Sequence, residues 1–412
     1  MPQERRQTQH KITSTGDPFA GKLSLVSSRG DLVANLRAFS TLRELHRSRF
    51  FLESGGEIHA LLQTPEVHPY PSALPRTRSF LRVAQWNIET GRNAREIAGF
   101  IGNHGILRWS DVILINEADH GMARSRNLHV AREIGGQLGM HVAFCPAHIE
   151  LTPGIGRDPA DGNQNGHSLQ GNAVLSRHPI TDTKVIPLPV CFEPYEFHEK
   201  RYGTRNCLLA KLFVRGSSLW AGAVHLEVRN TPRCRACQMR HLLARLPSRP
   251  DEPVVLGGDL NSNGFRRGSR WRTIHSAWRL LSRPADVTKE QLRHPERWAE
   301  PLFRIASRHG FAWTGFNSDE ATATAALEML EDTSTLPALL AQWIQPRLLA
   351  YKGRLDLKLD WILGRNVRGL RRGELTDPLS GRTSEGPGCV ETERTGHSRL
   401  SDHSPIFADI RL

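Results

Sequence analysis

The chain reads as a mixed α/β protein in which strands and helices interleave around no single parallel sheet. Runs of β-formers end again and again in an acid, an amide or an imidazole. Helical periodicities fall between those runs, and several strands are joined by links too short for a crossover. The clearest run is Pro253-Val254-Val255-Leu256-Gly257-Gly258-Asp259-Leu260-Asn261. A buried strand ending at Leu256 carries the chain to a sheet edge. The two glycines then allow a tight turn and the close approach of another group. Asp259 and Asn261 follow, two oxygen-bearing side chains held at a rigid strand end.

The 412 residues suffice for one large domain with an extension, or for two domains. At 38% hydrophobic and 24% charged, the composition is that of an ordinary globular protein. No apolar run approaches the ~20 residues of a membrane span. The start, Met1 to Gln7, is polar and no apolar signal core follows, so a cytoplasmic location is expected. Cys145, Cys191, Cys207, Cys234, Cys237 and Cys389 are too sparse for a disulfide scaffold. Cys234 and Cys237 lack a second compact pair for zinc and read as structural thiols on one helix. The formal charge of +13 favours polyanionic partners, nucleic acid first and an anionic membrane surface second. Nearly all of it is Arg.

Residues 1–79 read as an N-terminal extension. It holds one helix, from the spacing of Leu32, Val33, Leu36, Phe39, Leu42 and Leu45, and a linker rich in Pro65, Pro69, Pro71 and Pro75. From residue 80 the pattern changes. Strands are expected at 80–89, 111–117, 141–144, 171–177, 206–214, 219–226, 253–256, 355–363 and 405–410. Helices are expected at 93–105, 125–138 and 233–246. Residues 152–170, rich in Gly, Asn, Asp and Pro, form a loop long enough to suggest binding. After Asn261 comes an insertion, 264–350, with helical patterns near 269–281, 295–309 and 324–345.

Strand ends or starts thus carry Asn87 with Glu89, Glu117, His225, Asp259 with Asn261, Asp360, and Asp402 with His403. Singly, each has an ordinary role as a cap or a core histidine. Gathered in one cleft, they make an oxygen-rich site for a hard cation, Mg2+ or Mn2+. Such ions keep waters and bind phosphate oxygens, so the implied chemistry is phosphate-ester hydrolysis.

The ordered motifs Trp86-Asn87-Ile88-Glu89, Asn116-Glu117, Gly171-Asn172-Ala173-Val174-Leu175-Ser176-Arg177, His225-Leu226, Gly258-Asp259-Leu260-Asn261, Leu359-Asp360-Trp361 and Ser401-Asp402-His403 resemble the endonuclease/exonuclease/phosphatase, or DNase-I-like, superfamily. The resemblance covers roughly residues 80–412. It implies a four-layered sandwich, two mixed and largely antiparallel sheets flanked by helices, with the site at one end. It implies that Glu117 is the main metal ligand, with Asn87 and Asp402 beside it. Asp259 would orient or deprotonate the attacking water, and Asn261 would hold the phosphate or that Asp. His403 would bond the scissile phosphate, fixed by Asp360. His225 would touch the phosphate or protonate the leaving oxygen, and Asn172 would line the cleft. Two departures stand out: Asn116 occupies the place where the family commonly has Gln, and neither 152–170 nor 264–350 has a counterpart.

The reading is a divalent-metal-dependent phosphodiesterase or nuclease acting on nucleic acid. Arg177, Arg205, Arg266, Arg267 and Arg270, close in sequence to site motifs, are its candidate backbone contacts. The alternatives are a phosphatase or phospholipase C-like enzyme on inositol phosphates or sphingolipid head groups, and a non-catalytic module that kept the fold. The full set of site residues weighs against the last.

Overall fold

The computed structural model describes all residues except 1–28, 72–78, 155–163, 198, 248, 267–270, 272–274, 277, 280–281, 327–349, 353, 379 and 393–398. Two mixed sheets form its centre. The larger runs in the order β1 (Glu66–His68), β4 (His141–Glu150), β5 (Leu169–Ser176), β3 (Val112–His120), β2 (Leu81–Asn87), β18 (Ile406–Arg411) and β14 (Arg368–Gly369). At its margins β7 (Arg201–Gly203) pairs with β4, and β17 (Gly388–Cys389) with β18. The smaller sheet runs β13 (Asp360–Arg365), β10 (Val254–Asp259), β9 (Ser217–Val224), β8 (Asn206–Val214) and β6 (Ile180–Pro187). β2 is parallel to β3 and β10 to β9; the other pairs are antiparallel. Two short ribbons complete the strands, β11 (Ala323–Ala326) with β12 (Arg354–Leu357) and β15 (Arg372–Thr376) with β16 (Thr383–Glu385).

Strand alternation builds the layers. Leu81 and Val83 of β2 face inward and join Leu114, Leu208, Ala221 and Val255 in the core between the sheets. Ala84 and Trp86 point the other way, against Ile97 and Ile101 of α4 (Ala94–Asn103) and Val130 and Ile134 of α5 (Val130–Leu138). On the far side, Trp220, Leu256 and Trp361 pack against Met239 and Leu242 of α6 (Pro232–Leu243) and Phe303 of the helix Leu302–Arg308. Helix, sheet, sheet, helix is the four-layered sandwich. Among the described residues no helix is long and apolar enough to cross a membrane.

Several expectations are corrected. The single N-terminal helix is three: α1 (Arg29–Arg37), α2 (Leu42–Arg47) and α3 (Arg49–Gln63). Thr41 and Ser48 each accept a backbone N–H, so each restarts the helix. These helices bury Leu36, Leu45, Ile58 and Leu61 against Ile149, Leu169 and Tyr202. Part of the expected linker is strand β1. Helix α5 begins five residues late, because Arg126 and Asn127 take left-handed backbone. The strand expected at 355–363 breaks into β12 and β13. Gly257 and Gly258 make no turn: β10 runs straight through them to Asp259. They serve close approach instead, since a Cβ on Gly258 would lie 1.6 Å from the Val224 carbonyl oxygen. Residues 323–326 are strand, not helix, and 327–345 lie outside the described residues. Cys234 and Cys237 do share α6, but Cys234 forms a disulfide with Cys191, tying the loop around Cys191 to that helix.

Candidate active site

Register brings the motifs to one edge. Asn87 at the end of β2 lies level with Asn116 of β3, and Asp259 at the end of β10 lies level with Asp360 of β13. The loop before β18 delivers His403, whose backbone bridges to Ala323. Its main-chain carbonyl is held by the Trp86 indole N–H at 2.9 Å, and its N–H donates to Ser401 Oγ.

Four carboxylates, of Glu117, Asp259, Asp360 and Asp402, and the imidazoles of His225 and His403 meet there. His403 Nδ1 is 2.6 Å from Asp360 Oδ2. Asp360 is fully buried and also accepts from Gln85 Nε2 (3.0 Å) and the Thr322 hydroxyl (2.7 Å). A carboxylate accepting from every side makes Nδ1 the donor and turns His403 Nε2 into the cleft. Nε2 lies 3.9 Å from both Asp259 Oδ2 and Asp402 Oδ1. Burial would lower the His403 pKa, but Asp360 first and then Asp259 and Asp402 raise it well above 6.5. The second imidazole has the opposite partner. Arg205 Nη1 sits 2.7 Å from His225 Nδ1, and a guanidinium only donates, so Nδ1 accepts and Nε2 carries the proton. That Nε2–H faces Asp259 Oδ2 at 3.3 Å.

Asp259 Oδ2 is the hub, also receiving Asn87 Nδ2 at 3.2 Å, while Oδ1 takes the Asn261 N–H at 2.9 Å. Burial alone would raise its pKa; His225 and His403 hold it well below the ordinary carboxylate value. Glu117 is treated the same way: His225, Arg205, Arg201 and His403 outweigh burial and keep it ionised. Its side chain is 25% exposed and lies 3.3 Å from Asn87 Nδ2. Glu117 sits where the β3–β5 register shifts, at φ 61°, and Asn261 has φ 50°. Non-glycine residues in this region cost about 1–3 kcal/mol each and cluster at functional sites.

Behind them runs a chain of buried amides. Asn116 Oδ1 accepts from the Asp259 N–H (2.9 Å) and Gln85. Its Nδ2 donates to Asn172 Oδ1 (2.8 Å), and Asn172 donates to Asn206. Asn116 therefore aligns β3 with β10 across the two sheets.

The donor set fits a hard divalent cation. Glu117, Glu89, Asp402 and the Asn87 amide offer oxygen only. Burial, then the charges of Asp402 and Glu117, push the Glu89 carboxyl up, a crowding of like charge that a cation relieves.

Asn87, Glu117, His225, Asp259, Asn261, Asp360, Asp402 and His403 are thus brought together, with Asp402 at the exposed rim. Asn172 does not line the cleft; it is buried behind Asn116. Arg205 holds His225. Arg177 is not in the cleft: it is buried, with Nε on the Ser110 carbonyl and its N–H on that of Asp111, before β3 begins. Arg266 is exposed beside Arg279 and Trp298. Arg267 and Arg270 lie outside the described residues. Sequence reading missed Gln85, Thr322 and Asn206, and left Glu89 without a role.

The Endonuclease/Exonuclease/phosphatase family model matches residues 84–403, a span that takes in every residue of this cleft. The chain belongs to that family. No curated protein matches the sequence. Among solved structures, the chain is similar to an endonuclease/exonuclease/phosphatase from Beutenbergia cavernae at 20% identity, covering 81% of this chain and 72% of that one, with a TM-score of 0.48. It is similar to D. rerio TDP2 complexed with single-strand DNA product (14% identity, 81% and 100% covered, TM-score 0.40). It is also similar to the human Nocturnin catalytic domain with bound sulfate (14%, 84% and 97%, TM-score 0.42). None of these likenesses bears on substrate.

Proposed function

We propose that this family member is a divalent-metal-dependent phosphodiesterase acting on nucleic acid. The observation that carries the reaction is the convergence on Asp259 Oδ2 of two imidazoles and the Asn87 amide, with Glu117 beside it. Glu117, Asn87 and Asp402, with Glu89, would hold the cation, which when bound polarises the phosphate and offsets its charge. Asp259 Oδ2 accepts a hydrogen bond from the attacking water and aims it. Protonated His403 donates from Nε2 to a phosphate oxygen, with Asp360 keeping the proton in place on Nδ1. His225 presents its Nε2–H to the same oxygens, fixed by Arg205. Asn261, tied to the Leu226 carbonyl, keeps Asp259 from rotating.

Nucleic acid is favoured by what flanks the cleft. A groove running from Arg205 is lined by Arg229, Phe192 and Phe197, with Arg229 4.2 Å over the Phe197 ring, and by Arg201, whose guanidinium is paired with Glu150 and Glu199. Arginines for backbone phosphate and aromatic faces for bases are the elements of a single-strand groove. Exposed Trp298, beside Arg266 and Arg279, extends the same composition, and Trp271 is exposed as well. Exposed tryptophans also suit a lipid head-group region, which is the specific ground for the second reading, a phospholipase-like enzyme. The deciding measurement is DNA affinity against salt. A nucleic-acid enzyme is expected to show a steep negative slope, reduced by roughly one in Arg229→Ala. A flat slope together with binding to sphingomyelin vesicles would promote the lipid reading. The Cys191–Cys234 disulfide is of a kind that persists in oxidising compartments, so it lends the cytoplasmic expectation no support.

A further inference from the structure

Away from the catalytic cleft, Glu66 gathers histidines from three parts of the chain. β1 carries Glu66 and, two residues on, His68; period-two alternation puts both on one face. His129 comes from the start of α5, and His120 from the end of β3, its ring stacked on that of His129 at 4.1 Å. Glu66 Oε2 is 3.2 Å from His68 Nε2 and 3.2 Å from His129 Nε2, and these three ligand atoms all lie within 4.8 Å of one another. Glu66 Oε1 is buried with no hydrogen-bond partner among the described residues; His120 Nδ1 lies 3.8 Å from it.

We propose that Glu66, His68 and His129 form a second metal site, for a borderline transition cation such as Zn2+, with His120 or a water completing it. Ligand bonds of 2.0–2.1 Å in a tetrahedral ion put ligand atoms about 3.3 Å apart, the spacing already present around Glu66 Oε2. Imidazole donors select Zn2+, Ni2+ or Cu2+ and not Mg2+, so this site and the oxygen-only cleft take different ions. The unpaired, buried Oε1 gives the carboxylate a second oxygen to offer. One local cost is visible. His129 Nδ1 now accepts the Arg132 N–H at 3.4 Å as the cap of α5. A metal on Nε2 places the ring proton on Nδ1 and ends that long, weak bond. In return the ion clamps β1 to α5. Among the described residues β1 is a three-residue edge strand paired only with β4, and it follows directly on the N-terminal helices. The ion's role is thus to pin the extension to the sheet rather than to act on substrate.

The test is calorimetric titration of EDTA-stripped full-length protein with Zn2+ in excess Mg2+, with Co2+ absorption as a second readout. Wild type is expected to take up about one Zn2+ that Mg2+ does not displace, to melt at higher temperature when loaded, and to give the intense visible bands of tetrahedral Co2+. His68→Ala, at a partly exposed position, is expected to keep the metal-free melting temperature and lose at least about tenfold in Zn2+ affinity. Glu117→Gln is expected to retain the site. No Zn2+ uptake by wild type, weak octahedral Co2+ bands, or uptake lost in Glu117→Gln but kept in His68→Ala would each overturn the proposal. In that case the cluster is a hydrogen-bonded group only.

Discussion

Asp360 accepts from His403, Thr322 and Gln85 and has no exposed surface, so its charge has one main outlet, the imidazole. Asp360→Asn presents an amide that can donate to Nδ1 and so favours the wrong tautomer of His403. The expected outcome is a fall in kcat on the order of 10²-fold with KM nearly unchanged, measured by steady-state kinetics on a phosphodiester. A second residue bears on stability alone. His178 lies after β5, buried beside Arg215 and His141, and burial first, then those neighbours, push its pKa down to about 4. The folded protein therefore refuses a proton that the unfolded chain accepts near 6.5. Stability is full above that value and falls as the pH drops from 6.5 toward 4, by up to about 3 kcal/mol. Urea midpoints at pH 7 and pH 5, in wild type and His178→Asn, are expected to show this loss in the wild type and a smaller one in the variant. At this scale the sequence disclosed the residues at strand margins: Asn87 and Asp259 end strands, Asp360 begins one, and His403 lies in the loop before β18. It concealed Thr322 and Gln85, whose partners are 38 and 275 residues away. Arg177 was misjudged from sequence proximity: β5 runs antiparallel to β3, so its C-terminal end lies at the sheet edge opposite the cleft.

Strands were legible because alternation and β-branched runs report burial directly. Their interruptions were not. Nothing local separates Leu357 from Asp360, where β12 leaves for β11 and β13 joins the smaller sheet; the break is set by Thr322, whose hydroxyl takes the N–H groups of Leu359 and Asp360. The glycine pair misled in the same way, for a turn and a tight interstrand contact both demand glycine. Gly258→Ala distinguishes the two. In a turn it would be mild. Within β10, where the new methyl meets the Val224 carbonyl, it is expected to destabilise by at least about 1–3 kcal/mol and to displace Asp259, lowering activity as well. Thermal melts and rates on the same preparation check both effects.

For the whole molecule, the sandwich places four strand ends and the loop before β18 around one cleft, and the family motifs follow that geometry in chain order. The N-terminal helices were harder to read, since their apolar faces are completed by β4, β5 and Tyr202 as well as by one another. The disulfide joins residues 43 apart and had no local signature. The claim on which the rest depends is that this cleft hydrolyses phosphate esters with a divalent cation, using Asp259 to hold the water. Hydrolysis of bis(p-nitrophenyl) phosphate, with Mg2+ or Mn2+ and then with EDTA, in wild type and Asp259→Asn, tests it most directly. The expected result is a wild-type rate that EDTA abolishes and that Asp259→Asn lowers by about 10²–10⁴-fold without unfolding. A wild-type rate indifferent to EDTA, or an Asp259→Asn variant as fast as wild type, would contradict it.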